Sequence, residues 1–196
     1  MKYILSRYNQ DISWVKEYTN DVVIYDRSQE KVPNSIPMPN LGTDIYDKFT
    51  YIIDNYDNLP DVALYSKANL FKYISKGEFD LVKDNTAFTP LLTTKHLEKP
   101  GVSYYKDGIY WEVNNQWYLG SHPCKNEMTK WELPVILGIQ DMEYIPFAPG
   151  SSYILPRKNI LKHSKVFYEK LRSYLDWAVY SGEAQICERG LYTLWK

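Results

Sequence analysis

Polar side chains that can do chemistry follow two short apolar runs near the start of the chain. Arg7 and Asn9 come after the run at residues 3–5, and Asp26 comes directly after the run at residues 22–25. If these runs are neighbouring strands of one sheet, an arginine, an amide and a carboxylate converge on one crevice. A carboxylate placed there accepts hydrogen bonds from a ribose hydroxyl in nucleotide-binding α/β folds. The alternative for Asp26 is a turn in which its side chain bonds the local backbone.

Carboxylates that are close in sequence form a second group of candidate residues. They are the pairs Glu78 and Asp80, Asp141 and Glu143, and Glu183 and Glu188. A magnesium or manganese site needs only one or two carboxylates together with a substrate phosphate, so each pair is a candidate metal site. The same spacing is typical of solvated surface pairs, and both interpretations stay open.

Several motifs that would assign a reaction are missing from the chain. There is no Gly-x-Gly-x-x-Gly, no phosphate loop ending in Gly-Lys-Ser/Thr and no Gly-x-Ser-x-Gly. His96, His122 and His163 lack the spacing of metal ligands, and Cys124 and Cys187 are far apart. Dinucleotide oxidoreductases, P-loop kinases and serine or cysteine hydrolases therefore have no support.

The composition indicates one soluble α/β domain covering residues 1–196. The 44% hydrophobic content suits a single core, and a net charge of −1 argues against a nucleic-acid partner. No apolar run approaches the length of a membrane span, so we expect a cytoplasmic protein. The nineteen Tyr and six Trp residues suit either sugar and base faces or an aromatic-rich core.

The elements that position the first candidates form a βαβ unit. Asp11 or Ser13 caps a helix between the strands at residues 3–5 and 22–25, and those strands should be parallel. Thr43 is the expected N-cap of a helix running from Asp44 to about residue 56, followed by a buried strand at residues 62–65. A short helical segment at residues 69–76 should stop at Gly77, and residues 78–100 read as an irregular loop.

The second half of the chain adds strands and then helices. Turns at residues 106–108 and 114–115 separate aromatic runs at 102–105, 109–113 and 117–119, which predicts antiparallel hairpins. We expect a helix at 129–137, strands at 144–147 and 152–155, and helices at 157–178 and 183–195. The predicted fold is a single α/β, Rossmann-like domain with a mixed central sheet, flanking helices and a β-hairpin insertion.

Five blocks of sequence resemble, in order, a glycosyltransferase-like family of largely unassigned function. The blocks are SRYNQDISW, PNLGTD, YIIDNYDNLPDVALYSKA, FAPGSSYILPRKNILKHSKVFYEKL and CERGLYTLW. That family usually reads Arg-Tyr-Asn-Glu-Asp, then Pro-Asn-x-Gly-Arg-Glu, then Asn-Tyr-Asp-x-Leu-Pro-Asp, and a late Glu-Arg-x-x-x-x-Trp. The chain is also similar to the small glycosyltransferase domain of large algal viruses that decorates capsid protein.

The resemblance implies a GT-A-type enzyme that moves a hexose from a nucleotide-diphosphate sugar, with a UDP-sugar favoured, to a hydroxyl of a glycan or glycoprotein. Host cytoplasm is the implied location if the protein is viral, and the alternative is a non-catalytic nucleotide- or sugar-binding domain or a viral interaction domain. On this interpretation the candidate donor-binding residues are Arg7, Tyr8, Asn9, Asp26, Arg27, Lys67, Gly150, Arg157 and Arg189. The candidate catalytic bases are Asp141 and Glu188.

The chain departs from this family type where a metal-binding Asp-x-Asp is expected. Residues 66–68 read Ser-Lys-Ala and contain no carboxylate. Lys67 supplies the positive charge for the diphosphate, or Glu78 or Asp80 holds manganese or magnesium, or catalysis is metal-free. The sequence leaves these three alternatives open.

Overall fold

The computed structural model describes residues 1–92 and 99–196, so His96 and the rest of residues 93–98 lie outside the described residues. The strands are β1 (Lys2–Arg7), β2 (Val22–Asp26), β3 (Ile36–Pro37), β4 (Val62–Lys67), β5 (Thr89–Pro90), β6 (Ser103–Lys106), β7 (Ile109–Val113), β8 (Tyr144–Phe147) and β9 (Tyr153–Pro156). The α-helices are α1 (Thr43–Asp54), α2 (Lys76–Val82), α3 (Thr129–Ile136), α4 (Arg157–Ile160), α5 (Lys165–Ser173) and α6 (Gly182–Trp195).

A mixed six-stranded sheet forms the centre of the fold, in the order β3-β2-β1-β4-β9-β5. Strands β3, β2, β1 and β4 are parallel, whereas β9 runs antiparallel to both β4 and β5. The predicted α/β class, the mixed sheet and the parallel pairing of the first two strands are confirmed. The connection between β1 and β2 is a 3-10 helix, Ser13–Glu17, and not the predicted α-helix. The Asp11 carboxylate accepts a hydrogen bond from the Ser13 amide at the start of this helix.

Alternate residues of β1 and β4 pack into two hydrophobic clusters, as strands buried on both faces require. Ile4 and Tyr65 belong to the larger cluster, which α1, α5 and α6 cover. Leu5 and Leu64 belong to the smaller cluster, which contains Phe79 of α2. The central strands are thus held from both sides, and their carboxyl ends are fixed in position.

Helix α1 forms as its apolar spacing predicts, with Ile45, Phe49 and Ile52 fully buried on one side. Its start differs in detail, because Gly42 and not Thr43 occupies the N-cap position. Both residues have a positive φ, which is 55° at Gly42 and 53° at Thr43. This conformation suits glycine but strains a β-branched threonine.

A separate three-stranded antiparallel sheet, in the order β6-β7-β8, contains the predicted hairpin. Asp107 and Gly108 both have positive φ in the two-residue turn between β6 and β7, as a tight hairpin turn requires. The predicted third strand at residues 117–119 is wrong, since Trp117–Gly120 is a 3-10 helix. Strand β8 takes the second edge of β7 instead, and Ile145 and Phe147 join the main core.

Two helical predictions are wrong for local reasons. Helix α2 starts at Lys76 and runs through Gly77, because Ser75 and Glu78 form a reciprocal capping box that begins a helix there. The helix expected at 157–178 is instead divided into α4 and α5, since Ser164 caps a new helix by accepting from the Phe167 amide. None of the helices in the described ranges has the length and apolar character needed to cross a membrane.

Candidate functional site

The order of the parallel strands creates a crevice at one edge of the sheet. From β1 the chain moves outward through β2 to β3, and it then returns to place β4 on the other side of β1. The carboxyl ends of β1 and β4 therefore diverge toward loops on opposite sides. Ligands of open α/β sheets bind outside such carboxyl ends, where the strand order reverses.

A cavity of about 520 Å³ opens at this point. Its lining comes from the ends of β1, β2 and β4, the start of α1, the loop after β4 and one side of α6. The lining residues are Ser6, Arg7, Tyr8, Gln10, Arg27, Asn40, Thr43, Asp44, Lys67, Asn69, Tyr73, Val179, Tyr180, Gln185 and Glu188. Arg7, Tyr8, Arg27, Lys67 and Glu188, all predicted from the sequence, are among them.

Asp26 lies buried beneath this cavity and organises the loop that follows β2. Nη1 of Arg7 lies 3.1 and 2.9 Å from its two carboxylate oxygens, and the Ser28 and Val32 amides donate to them at 2.9 and 3.0 Å. Burial alone would raise the Asp26 pKa, but the hydrogen bonds from Ser28 and Val32 and the charge of Arg7 lower it to about 2. Both oxygens are in use, so Asp26 positions Arg7 and does not itself line the cavity.

Arg27 is held by a second buried carboxylate. Its Nε and Nη2 atoms lie 3.0 and 2.6 Å from the two oxygens of Asp47, on the second turn of α1. Such a two-point contact fixes the guanidinium plane. It also ties the end of β2 to α1, so that the cationic edge of the cavity is rigid.

Lys67 lies at the opposite side of the cavity, where β4 ends. Its Nζ is 3.3 Å from Oδ1 of Asp44 and 3.8 Å from Oε1 of Glu188, and its side chain is 26% exposed. Burial opposes the lysine charge, but the carboxylates of Asp44 and Glu188 outweigh burial and raise the Lys67 pKa above its ordinary value. Lys67 is therefore a cation at neutral pH.

Asp44 is the buried centre of this arrangement. Its Oδ2 accepts from the Lys48 ammonium and from the Ser151 hydroxyl, both buried. Burial alone would raise the Asp44 pKa, yet the charges of Lys48 and Lys67 hold it well below its ordinary value. Asp44 stays ionised, and a carboxylate with so low a pKa is a poor general base.

Two acceptor oxygens of the lining have no hydrogen bond within the described ranges. They are Oδ1 of Asn69 and Oδ1 of Asp44, which has the ion pair with Lys67 instead, and both are inaccessible to bulk water. Neither oxygen is accessible to water, so a ligand in the cavity contacts the exposed groups of the lining and not these two atoms.

Glu188 of α6 projects toward the same cavity from the helical side. Its Oε1 accepts the Gly150 amide at 2.8 Å, and no residue in the described ranges donates to its second oxygen. Gly150 has a φ of 88°, and a Cβ there would lie 2.7 Å from the Tyr73 ring. The close approach that glycine allows is thus made by Tyr73, a residue that lines the cavity.

The remaining sequence candidates lie away from the cavity lining. Arg189 is buried with Glu112 of β7, where its Nε is 3.0 Å from Oε1, and Arg157 follows β9 at the other end of β4. Asp141 is exposed beside Gln140, and Asn9 is exposed after β1. Glu78 and Asp80 are exposed on α2, and neither lines the cavity.

A family comparison matches nearly the whole chain. The match covers residues 4–195 and is to the family described as protein of unknown function (DUF3431). The chain belongs to this family. No curated protein and no solved structure matches it.

The DUF3431 chain has a donor set at the cavity that does not fit a divalent cation. In the two described ranges no three His, Cys, Asp or Glu side chains are grouped as metal ligands would be. Asp44 and Glu188 are the cavity carboxylates, and the Lys67 ammonium lies within 4 Å of both. A lysine beside both carboxylates opposes a second cation there.

Several cavity residues were not predicted as functional. The sequence predicts Asp44 only as the first residue of a helix, and Asn69, Tyr73 and Tyr180 belong to no motif. The available signal for Asp44 was its place two residues after Gly42, at a helix start that lies beside a strand end. Nothing local in the sequence marks Tyr180, which reaches the cavity from the segment before α6.

Proposed function

We propose that this chain is a glycosyltransferase that takes a sugar from a nucleotide-diphosphate donor, a UDP-sugar being favoured, and attaches it to a hydroxyl of a glycan or glycoprotein acceptor. The observation that carries the proposal is the cavity between the carboxyl ends of β1 and β4, where the charged Lys67, the guanidinium of Arg7 and the Glu188 carboxylate line one space. A diphosphate needs the cation, and a sugar hydroxyl can donate to the Glu188 carboxylate.

The reaction places a defined demand on the cavity. The acceptor oxygen forms a bond to the anomeric carbon, and the bond from that carbon to the diphosphate oxygen breaks, with its electron pair leaving on the diphosphate. The acceptor hydroxyl loses its proton to a base. Positive charge near the departing diphosphate and a carboxylate near the acceptor are therefore the two requirements.

Glu188 fits the role of the base that removes the acceptor proton better than the other carboxylates do. It lines the cavity with one oxygen held by the Gly150 amide, whereas Asp44 is locked as an anion by Lys48 and Lys67. Asp141 is exposed and outside the lining. We therefore assign proton removal to Glu188 if the configuration at the anomeric carbon inverts.

Two tyrosines at the cavity suit the flat parts of the donor. Tyr8 is 51% exposed and Tyr180 is 65% exposed, although both contribute to the lining. Exposed aromatic rings beside a polar cavity offer an apolar face to a base or sugar and a hydroxyl at the edge. They are the expected contacts of the nucleoside or of the acceptor.

Thermal unfolding with a panel of donors tests the binding step. We expect UDP-sugars, tested beside GDP-sugars with and without manganese, to raise the melting temperature in a concentration-dependent manner, because a ligand that binds only the folded state stabilises it. Lys67→Met should lose most of this shift. No response to any nucleotide would contradict the proposal.

Release of the free nucleotide diphosphate from the bound donor tests the chemical step. A glycosyltransferase releases it slowly with water as the acceptor and faster with a suitable glycan. A chain that binds the donor tightly and never releases the nucleotide diphosphate with any glycan acceptor is a binding domain, the alternative to an enzyme.

A further inference from the structure

We propose that the Lys67 ammonium contacts the diphosphate directly and replaces a divalent cation, so that the cavity binds a diphosphate without metal. The inference rests on the proposed function for the identity of the ligand. Its physical basis is the placement of one lysine between the two carboxylates of the cavity, Asp44 and Glu188.

One oxygen of each carboxylate near Lys67 is already held by another partner. Asp44 binds Lys48 and Ser151 through Oδ2, and Glu188 accepts the Gly150 amide through Oε1. A divalent cation would find few oxygens free to act as ligands, and it would lie next to the Lys67 charge, which is within 4 Å of both carboxylates. The arrangement therefore favours a built-in cation over a bound one.

Lys67 keeps donors for a ligand in this arrangement. An ammonium has three N–H donors, and the nearest carboxylate oxygens lie 3.3 and 3.8 Å away, which is longer than a strong charged hydrogen bond. The side chain is partly exposed to the cavity, and the Tyr73 ring lies 5.8 Å from Nζ. The lysine can thus turn toward a phosphate oxygen while Asp44 stays adjacent.

The two arginines of the cavity extend the positive edge. Arg7 and Arg27 lie at the ends of β1 and β2, and β1 is the strand next to β4. Each is held by its own buried aspartate, Asp26 or Asp47, so the guanidinium groups are fixed in place. Fixed cations on one side and Lys67 on the other are a suitable environment for a diphosphate.

Titration calorimetry with inorganic pyrophosphate and with UDP tests this inference. We expect the wild-type protein to bind UDP with the same dissociation constant, within about twofold, in EDTA and in manganese. Lys67→Met should weaken both probes by about 10- to 100-fold, the range expected when one charged hydrogen bond is lost. Lys67→Arg keeps the charge and should retain most of the affinity.

Two further variants extend the test: one is a matched control, and the other creates a metal site in place of the lysine. Lys72→Met removes an exposed lysine that lies near Tyr73 but outside the cavity lining, and it should leave the affinity unchanged. Lys67→Asp adds a third carboxylate beside Asp44 and Glu188, and recovery of UDP binding by manganese in that variant alone would support the inference.

Three results would overturn the inference. They are loss of wild-type UDP binding in EDTA, unchanged affinity in a folded Lys67→Met protein, and no binding of either probe to the wild type. Metal-independent UDP binding without any transfer of sugar would contradict the proposed enzyme and leave the diphosphate site standing.

Discussion

Nη1 of Arg7 lies within 3.1 Å of both carboxylate oxygens of Asp26, so a residue of β1 and a residue of β2 are joined at the carboxyl edge of the sheet. The two residues are also register partners in the parallel pairing. Asp26 is completely buried, whereas Arg7 reaches the cavity. The buried Asp26 carboxylate thus fixes the Arg7 guanidinium, a cation, in position at the site.

Asp26→Asn should lower the free energy of unfolding by about 2 kcal/mol at pH 7, because Arg7 then loses its buried anion. The folded-state pKa of Asp26 is about 2, below its ordinary 3.8. Its stabilisation is therefore present above pH 3.8 and is lost as the pH falls through 2. Urea unfolding should show the difference between the two proteins shrinking from pH 4 toward pH 2.

Asp57→Asn is the control for this pH series, since Asp57 is exposed in the 3-10 helix after α1. It should unfold like the wild type at each pH. An Asp26→Asn protein whose stability deficit is constant from pH 7 to pH 2 would show that the carboxylate charge is not the source of the stabilisation.

Substitutions at the start of α1 should change the free energy of unfolding in a direction that the backbone conformation predicts. Gly42→Ala should destabilise by about 2–3 kcal/mol, because φ is positive and the new Cβ would lie 2.6 Å from Cβ of Leu175. Thr43→Asn should stabilise by about 0.5–1 kcal/mol, because asparagine tolerates the positive φ that strains a β-branched residue. Equilibrium denaturation measures both, and equal stability of the two variants would refute this account of the backbone.

Gly150→Ala should affect stability and the site together. The added Cβ would lie 2.7 Å from the Tyr73 ring at a residue with φ of 88°, and we expect a loss of about 2–3 kcal/mol. Displacement of Tyr73 and of the Gly150 amide should also weaken UDP binding. Gly77→Ala is the matched control, because nothing lies within 4 Å of its new Cβ and it is helical, so it should be neutral or slightly stabilising.

Glu188 and Asp141 are distinguished by their positions. Glu188→Gln keeps the shape of a cavity side chain but removes its basicity, and sugar transfer should fall by about 100-fold or more while UDP binding changes little. Asp141→Asn alters an exposed residue outside the lining and should leave transfer within about twofold of the wild type. Initial-rate measurements at saturating donor separate the two. A larger loss in Asp141→Asn than in Glu188→Gln would exclude Glu188 as the base.

The sequence predicted elements whose cause is local. The apolar spacing of α1, the apolar runs of β1, β2 and β4, and the Asp107-Gly108 turn were each readable from a few neighbouring residues. Gly77 was misleading, because a capping box beginning at Ser75 outweighs the low helix propensity of one glycine. The strand that pairs with the second edge of β7 is β8, which is distant in sequence, so local residues do not predict it.

The candidate site was only partly predictable for the same reason. Lys67 and Glu188 were singled out separately, but their proximity to each other and to Asp44 comes from three distant parts of the chain. No local pattern in the sequence predicts that Asp26 is buried and fully hydrogen-bonded, or that Arg189 pairs with Glu112. Tertiary packing determines which of several plausible charges reaches the cavity.

The most direct test of the central claim is a crystal structure of the protein with UDP bound. We expect the nucleotide in the cavity between the carboxyl ends of β1 and β4, with a diphosphate oxygen within hydrogen-bond distance of Lys67 Nζ. Density for UDP at another surface, or a diphosphate turned away from Lys67 and Arg7, would contradict the assignment of this cavity as the donor site.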